Sequence, residues 1–77
     1  MEDIVAYLAR NLVDRPDAVS VTRTEREGAT VLELRVAEED VGKVIGRQGR
    51  IARALRTVVR ASGAHRNERV QLEILDE

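Results

Sequence analysis

The chain has 77 residues, no cysteine and a single aromatic residue, Tyr7, which excludes disulfide scaffolds and thiolate metal sites and predicts one small domain with an aliphatic core. No apolar stretch approaches the ~20 residues of a transmembrane helix, and the acidic start does not resemble a signal peptide. A cytoplasmic protein with no membrane partner is therefore expected.

The net charge of −1 conceals a strong segregation of charge along the chain. Residues 1–40 carry ten acidic and five basic side chains, whereas residues 41–69 carry eight basic side chains against one acid, Glu68. A local basic patch, rather than net charge, attracts phosphate groups. Uneven charge is common in a domain so rich in charged residues. This basic block, however, coincides with a predicted turn that contains Gly46 and Gly49, called the glycine turn. That coincidence favours a nucleic-acid-binding surface.

The first predicted element is an amphipathic helix over residues 4–13. Its apolar residues recur at helical spacing, Asp3 is available as the N-cap, and Pro16 should end the helix shortly before it. Tyr7 is expected at the edge of the core with its hydroxyl in water. Stacking of Tyr7 on a base is the less favoured alternative.

Two strands should follow the first helix. Apolar and polar residues alternate from Ala18 onwards, and a second alternation includes Leu32, Leu34 and Val36. The pair Glu27-Gly28 indicates a turn, so the two strands should form an antiparallel hairpin with its tip near residues 26–29. The charges on this hairpin are interpreted as a solvated face.

A short helix and a long helix should flank the glycine turn. The acids at positions 38–40 favour a helix start through capping and the helix dipole, and Gly46 should end this short helix. After Gly49 a second helix is expected to run to about Ser62, with Gly63 as its C-terminal stop. Scattered acids and one histidine give no convincing metal site and no cofactor site.

The long helix has two different faces when its residues are placed about 100° apart. The apolar face comprises Ile51, Ala52, Ala54, Leu55, Val58, Val59 and Ala61. The opposite face carries Arg50, Arg53, Arg56 and Arg60. An arginine stripe is often only a solvated face, but no acid interrupts the basic run between Lys43 and Arg60. The sequence leaves open whether Arg56 and Arg60 lie within a binding groove or beyond its edge.

A third strand is predicted where Val70, Leu72 and Ile74 alternate with polar residues. The connection before this strand contains His65, interpreted as an exposed loop residue rather than a catalyst. The predicted order is α-β-β-α-α-β, an α+β fold with a three-stranded sheet packed against helices, in a single domain over residues 1–77.

The turn between the two later helices contains the residues that are best suited to bind a ligand. Its glycines allow the backbone to turn sharply and a ligand to come close. The turn amides and the start of the following helix can face a phosphate, with basic side chains around it and aliphatic side chains as a floor for unpaired bases. The predicted RNA-binding residues are Lys43, Val44, Ile45, Gly46, Arg47, Gln48, Gly49, Arg50, Ile51 and Arg53.

The stretch from Val44 to Ile51, with the predicted order of elements, resembles the signature of KH domains, in which a GxxG loop joins two helices and clamps about four nucleotides. The order is that of the type II, bacterial arrangement, and the chain resembles the small stand-alone bacterial KH proteins of the KhpA (YlqC) group. This resemblance implies binding of single-stranded RNA with broad specificity, with the GxxG loop at residues 46–49.

The same resemblance also implies protein partners and a cellular role. It implies a homodimer, a heterodimer with a larger KH protein of the Jag or EloR type, or both. It further implies a post-transcriptional regulator or RNA chaperone that is linked to cell elongation and division.

Two alternatives to an RNA-binding module remain at this point. One is a protein-interaction or dimerisation module with little intrinsic RNA binding, in which Val58, Val59 and Ala61 would lie in an interface. Burial of these residues beneath the sheet explains their apolar character equally well. The other is an enzyme, which the residues disfavour. The single histidine and the serines form no recognisable triad, and the glycine turn lacks the lysine-serine/threonine ending of an NTPase phosphate loop.

Overall fold

Three helices pack on one face of a three-stranded sheet in the computed structural model, which describes residues 2–76. The helices and strands in chain order are α1 (Glu2–Arg10), β1 (Ser20–Arg26), β2 (Ala29–Val36), α2 (Val41–Ile45), α3 (Arg50–His65) and β3 (Val70–Asp76). Single turns of 3-10 helix precede β1, α2 and α3, at Pro16–Ala18, Glu38–Asp40 and Arg47–Gly49. The α+β fold and the order α-β-β-α-α-β predicted from the sequence are confirmed.

The sheet has the order β1-β2-β3 and is mixed. Strands β1 and β2 pair antiparallel, with Ser20 opposite Arg35, and their two-residue turn has positive φ at Glu27 (52°) and Gly28 (79°). These angles suit the twist of a tight hairpin, and the predicted tip is confirmed. Strands β2 and β3 pair in parallel, which requires a long crossover. That crossover contains α2, the glycine turn and α3.

The core is aliphatic, as the composition predicts. The central strand β2 contributes most to it, since Leu32, Leu34 and Val36 are completely buried. The other core side chains are Val5, Ala9, Val19, Val44, Leu55, Val59, Val70 and Leu72. Burying each large aliphatic side chain is worth about 1.5–3 kcal/mol, so these contacts hold the crossover, and the turn within it, against the sheet.

The first helix is shorter than predicted. It starts at Glu2, so Asp3 lies within its first turn rather than capping it, and it ends at Arg10. The side-chain amide of Asn11 donates to the Tyr7 carbonyl oxygen at 2.8 Å, and such a local bond competes with continued helix. Tyr7 is 65% exposed and Ile4 is 49% exposed, so both are more exposed than the helical spacing of the apolar residues predicts.

The prediction that Gly63 ends the long helix is wrong. Helix α3 continues through this buried glycine to His65. A Cβ at Gly63 would lie 2.7 Å from Val70 Cγ2 and 2.9 Å from the Glu68 carbonyl oxygen. The glycine therefore allows α3 to approach the start of β3, and the chain reverses later, at Asn67, whose φ is +59°. His65 belongs to the last helical turn rather than to a loop.

Candidate nucleic-acid interface

The backbone of the glycine turn is strongly constrained. Gly46 has φ 78° and ψ 171°, a combination that is essentially restricted to glycine. A Cβ at this position would lie 2.7 Å from Ile51 Cγ1. The Gly46 amide donates to the Gly42 carbonyl oxygen at 2.9 Å and closes α2, while the Gly49 amide donates to the Gly46 carbonyl oxygen at 3.1 Å. The chain thus leaves one helix and enters the next within four residues.

Two consecutive residues of this turn are left-handed. Gln48 has φ 57° and ψ 24°, and Gly49 has φ 74° and ψ 15°. No side chain caps the N-terminus of α3. The Arg50 amide donates to the Arg47 carbonyl oxygen, and the amides that follow it in the first turn have no partners within the helix. Such a terminus, next to a turn with left-handed residues, has the geometry that receives an anionic oxygen.

Two arginines of α3 reach back to the middle of the turn. Arg53 donates from Nη2 to the Gln48 carbonyl oxygen at 3.0 Å, and Arg50 donates from Nη2 to Gln48 Oε1 at 3.4 Å. Arg47 projects from the turn itself and is exposed. The sequence predicts Lys43, Arg47 and Arg50 around the turn. In the structure, Arg50 and Arg53 contact it.

Lys43 differs from these arginines, because its charge is compensated by acids. Its Nζ lies 3.1 Å from Asp14 Oδ2 and 3.6 Å from Asp40 Oδ1. The hydrogen bond and the charge of Asp14 raise the pKa of Lys43, and Asp40 adds to this effect. The structure places Lys43 against the segment that follows α1, so it is the least available of the predicted phosphate-binding side chains.

Asp40 has a structural role that its place in the sequence does not indicate. Its carboxylate is completely buried and accepts the backbone N–H groups of Asp14 at 3.3 Å and Arg15 at 3.0 Å. It forms no side-chain cap on α2, which contradicts the expected capping role. Burial of the carboxylate opposes its ionisation, but these two N–H bonds and the charge of Lys43 outweigh that effect and lower the pKa of Asp40. Asp40 thereby ties the start of α2 to the chain leaving α1.

The predicted apolar floor is smaller than expected. Val44 is completely buried in the core and cannot touch a base. Ile45 and Ile51 are half-buried, and the Ile51 side chain lies over Gly46. Val44 is the buried residue of the five-residue helix α2, and its side chain is used by the core. Ile45 and Ile51 remain as the apolar surface beside the turn.

Unlike Lys43, the arginines of the turn and of the residues after it are not paired with acids. Within residues 2–76, no ion pair forms to the arginines of the later part of the chain, which are Arg47, Arg50, Arg53, Arg56, Arg60, Arg66 and Arg69. By contrast, Arg15, Arg23, Arg26 and Arg35 each lie within 4 Å of a carboxylate. The positive charge around the turn is therefore available to an external anion.

A solvent-open cleft between α3 and β3 continues this basic surface. Its volume is about 530 Å³, and its lining comprises Arg56, Arg60, Ala64, Glu68, Arg69, Val70, Gln71 and Leu72. Arg53, Arg56 and Arg60 lie at helical spacings that put them on one side of α3, so the stripe leads from the turn to the cleft. Arg69 and Gln71 were not predicted. The signal for Arg69 was its place in the basic block, whereas Gln71 had none beyond strand alternation.

A membrane-spanning helix and a cluster of metal-ligating side chains are both absent from residues 2–76. No helix within residues 2–76 combines the length and the apolar character needed to cross a membrane. In the same part of the chain, no three His, Asp or Glu side chains form a group that could hold a metal ion.

Comparison with protein families identifies one family over almost the whole chain. Residues 2–74 match the model described as the KH domain of KhpA/KhpB. Relatives named RNA-binding protein KhpA are 59% identical in Treponema pallidum, over 97% of this chain and 94% of the relative, and 54% identical in Aquifex aeolicus, over 99% and 96%. The Bacillus subtilis relative of the same name is 45% identical, over 99% and 94%.

Solved structures show the same fold at lower sequence identity. Aquifex aeolicus Era bound to GDP and AlF4− has a TM-score of 0.64 and 19% identity, over 97% of this chain and 29% of the Era chain. An Era complex with MgGDPNP and a segment of 16S ribosomal RNA has a TM-score of 0.64 and 20% identity, with the same coverage. At this identity the likeness concerns the fold alone.

Proposed function

The chain belongs to the KhpA/KhpB family of KH domains, and from this membership we propose that it is an RNA-binding protein that holds short single-stranded segments at residues 46–49. The family is one of KH domains and not of enzymes, and the relatives are named for RNA binding. The observation that carries the proposal is the uncapped, left-handed turn surrounded by arginines that have no acidic partner within the described residues.

The proposed binding mode follows from the geometry of the turn. A phosphate would accept hydrogen bonds from amides at the start of α3 beyond Arg50 and from the guanidinium groups of Arg47 and Arg50. Neighbouring bases would lie over Ile45 and Ile51, and the strand would continue along α3 into the cleft beside β3. No Phe or Trp is available for stacking, so we expect a dissociation constant on the order of micromolar.

Charge reversal in the turn tests this proposal. In the double variant Arg47→Asp, Gln48→Asp the fold should remain, because both side chains are exposed, while binding to single-stranded RNA should be lost. The single change Arg47→Asp has a matched control in Arg10→Asp, an exposed arginine on α1. A folded double variant that bound RNA with the wild-type salt dependence would contradict the proposal.

We propose dimerisation as a second function, because one surface exposes apolar side chains. The three large hydrophobic residues exposed within residues 2–76 are Ile4 and Tyr7 on α1 and Val58 on α3. A groove between these helices is lined by Leu8, Asn11, Leu12, Arg50, Ile51, Ala54, Leu55 and Val58. Ala61 is exposed nearby on α3, but Val59 is 1% exposed and belongs to the core, so its suggested interface role is not supported.

The occupant we propose for this surface is a second copy of the chain or a larger KH protein of the Jag or EloR type. Val58→Glu should make the protein monomeric in light scattering across concentration, since it places a charge in an apolar contact. Thr57→Glu, at the neighbouring exposed position of α3, is the control for added charge. A wild-type protein that stayed monomeric at all concentrations, alone and with the larger KH protein, would exclude this function.

We also propose the physiological role that the family resemblance implies. Binding of this kind would serve a cytoplasmic post-transcriptional regulator or RNA chaperone linked to cell elongation and division. Crosslinking in cells, with identification of both the bound RNA and the bound protein, would test it. Recovery of neither RNA nor a KH partner under crosslinking would contradict the role.

A further inference from the structure

We propose that Arg53 is a positioning residue, which acts on RNA through the turn rather than by touching a phosphate. The inference deepens the proposed function and rests on it. Arg53 donates from Nη2 to the Gln48 carbonyl oxygen at 3.0 Å. The same nitrogen lies 4.0 Å from the point where a Cβ would stand on Gly49. Its guanidinium thus lies against both left-handed residues of the turn.

The turn needs such a support because of residue 48. Gln48 is not glycine, yet its φ is 57°, a conformation that side chains with a Cβ rarely adopt. The direction of the Gln48 amide depends on this conformation, and so does the bond from the Gly49 amide to the Gly46 carbonyl oxygen that closes the turn. In the described residues, the contacts that fix Gln48 from outside the turn are made by Arg53 to its carbonyl oxygen and by Arg50 to its side chain.

Arg53 is therefore unlike the arginines that follow it on α3. Arg56 and Arg60 line the open cleft and form no hydrogen bond to the turn, so their donors are free for a ligand. Arg53 already directs one donor towards a backbone carbonyl oxygen five residues earlier. We infer that its loss releases Gln48 from the left-handed conformation and misaligns the amides that receive the phosphate.

Removal of the guanidinium tests the inference in two ways. In Arg53→Gln the affinity for a single-stranded RNA oligonucleotide should fall about fivefold, the factor that corresponds to the bias against a left-handed residue. The slope of log affinity against log salt should stay unchanged. Loss of a direct phosphate contact would instead reduce that slope by about 0.7. Arg56→Gln is the matched control, and it should reduce the slope.

A rescue variant separates conformation from contact. Asparagine adopts left-handed geometry more readily than glutamine, so adding Gln48→Asn to Arg53→Gln should restore most of the lost affinity. A lost phosphate contact would not be restored by this change. A reduced salt slope in Arg53→Gln, or the absence of rescue, would overturn the inference.

The free protein provides a readout that needs no RNA. The three-bond HN–Hα coupling of residue 48, measured by NMR, reports φ, and it should change in Arg53→Gln and remain at the wild-type value in Arg56→Gln. An unchanged coupling would overturn the inference. If the wild-type protein failed to bind RNA, the proposed function would fail, while the coupling would still show whether Arg53 positions the turn.

Discussion

The arginines of this domain form two sets that differ in what surrounds them. Those on the sheet and the first connection lie beside acids, as in the pair of Arg26 Nη2 and Glu73 Oε1 at 2.6 Å. Those of the turn, α3 and the connection before β3 form no ion pair within residues 2–76. Since an external phosphate competes with any internal carboxylate, the two sets should contribute very differently to RNA binding. Net charge would not reveal this difference.

The distribution of acids along the chain decides which arginines are available to an external phosphate. The acids lie mainly before residue 41 and after residue 72, while residues 41–69 contain one acid, Glu68, which pairs with Arg23 on β1 at 3.4 Å. The unpaired arginines therefore follow one another along α3 from the turn to the cleft. A basic surface arises on a protein whose net charge is −1.

The variant with the largest expected effect tests whether the unpaired arginines are sufficient for RNA binding when the turn is distorted. Gly46→Ala leaves every arginine in place but adds a Cβ 2.7 Å from Ile51 Cγ1 in a backbone region reserved for glycine. We expect a loss of stability of roughly 1–3 kcal/mol from backbone strain, with a further cost from the overlap. RNA affinity should fall at least about tenfold. Thermal unfolding and fluorescence anisotropy would measure the two effects.

Gly49→Asn is the informative control for that variant. Gly49 is left-handed, a conformation that asparagine adopts more readily than other side chains, and the nearest atom to its added Cβ is 4.0 Å away. The loss of stability should therefore be smaller than in Gly46→Ala. Equal RNA binding by Gly46→Ala and wild type would mean that the arginines act without the turn, and the proposed clamp would be wrong.

The next effect compares the two sets of arginines directly. Arg60→Gln removes an unpaired charge beside the cleft, so RNA affinity should fall several-fold and the salt slope should decrease by about 0.7. Arg35→Gln removes a charge that lies 3.3 Å from Glu33 Oε1, and neither quantity should change. Titrations at several salt concentrations would measure both. An equal loss in the two variants would show that ion pairing does not separate the sets.

A smaller effect concerns the buried carboxylate of Asp40, which pairs with Lys43, and the pH dependence of protein stability that it causes. The pKa of Asp40 is lowered in the folded state from the ordinary value of 3.8, so its contribution to stability is complete above that value. This contribution should be lost as the pH falls below 3.8 towards the folded-state pKa. Denaturant unfolding at several pH values would show the decline, and Asp40→Asn should reduce it.

The exposed acid Asp17 supplies the control for that measurement. Asp17→Asn should keep the wild-type decline in stability below pH 3.8, because Asp17 is exposed and lies outside the contacts of Asp40. An identical decline in Asp40→Asn and wild type would show that the buried carboxylate does not govern stability in this range.

Features set by local sequence could be predicted, whereas features set by distant contacts could not. The hairpin tip, the short α2 and the third strand follow from alternation and from glycine positions. Asp40 accepts hydrogen bonds from Asp14 and Arg15, which lie far earlier in the chain, and Gly63 packs against Val70. Neither contact has a signal in the local sequence. The same holds for Val58, whose exposure depends on the position of α1 rather than on its place in the helical pattern.

The smallest effect tests the boundary between the two sets, which falls at Lys43. This residue belongs to the basic block by sequence, but its Nζ lies between Asp14 and Asp40 at 3.1 and 3.6 Å. Lys43→Gln should therefore change RNA affinity by less than about twofold and leave the salt slope unchanged, while stability decreases because Asp40 loses a charged partner. If the salt slope fell as in Arg60→Gln, the result would mean that Lys43 gives up its ion pairs with Asp14 and Asp40 to bind a phosphate. The unpaired set would then extend into α2.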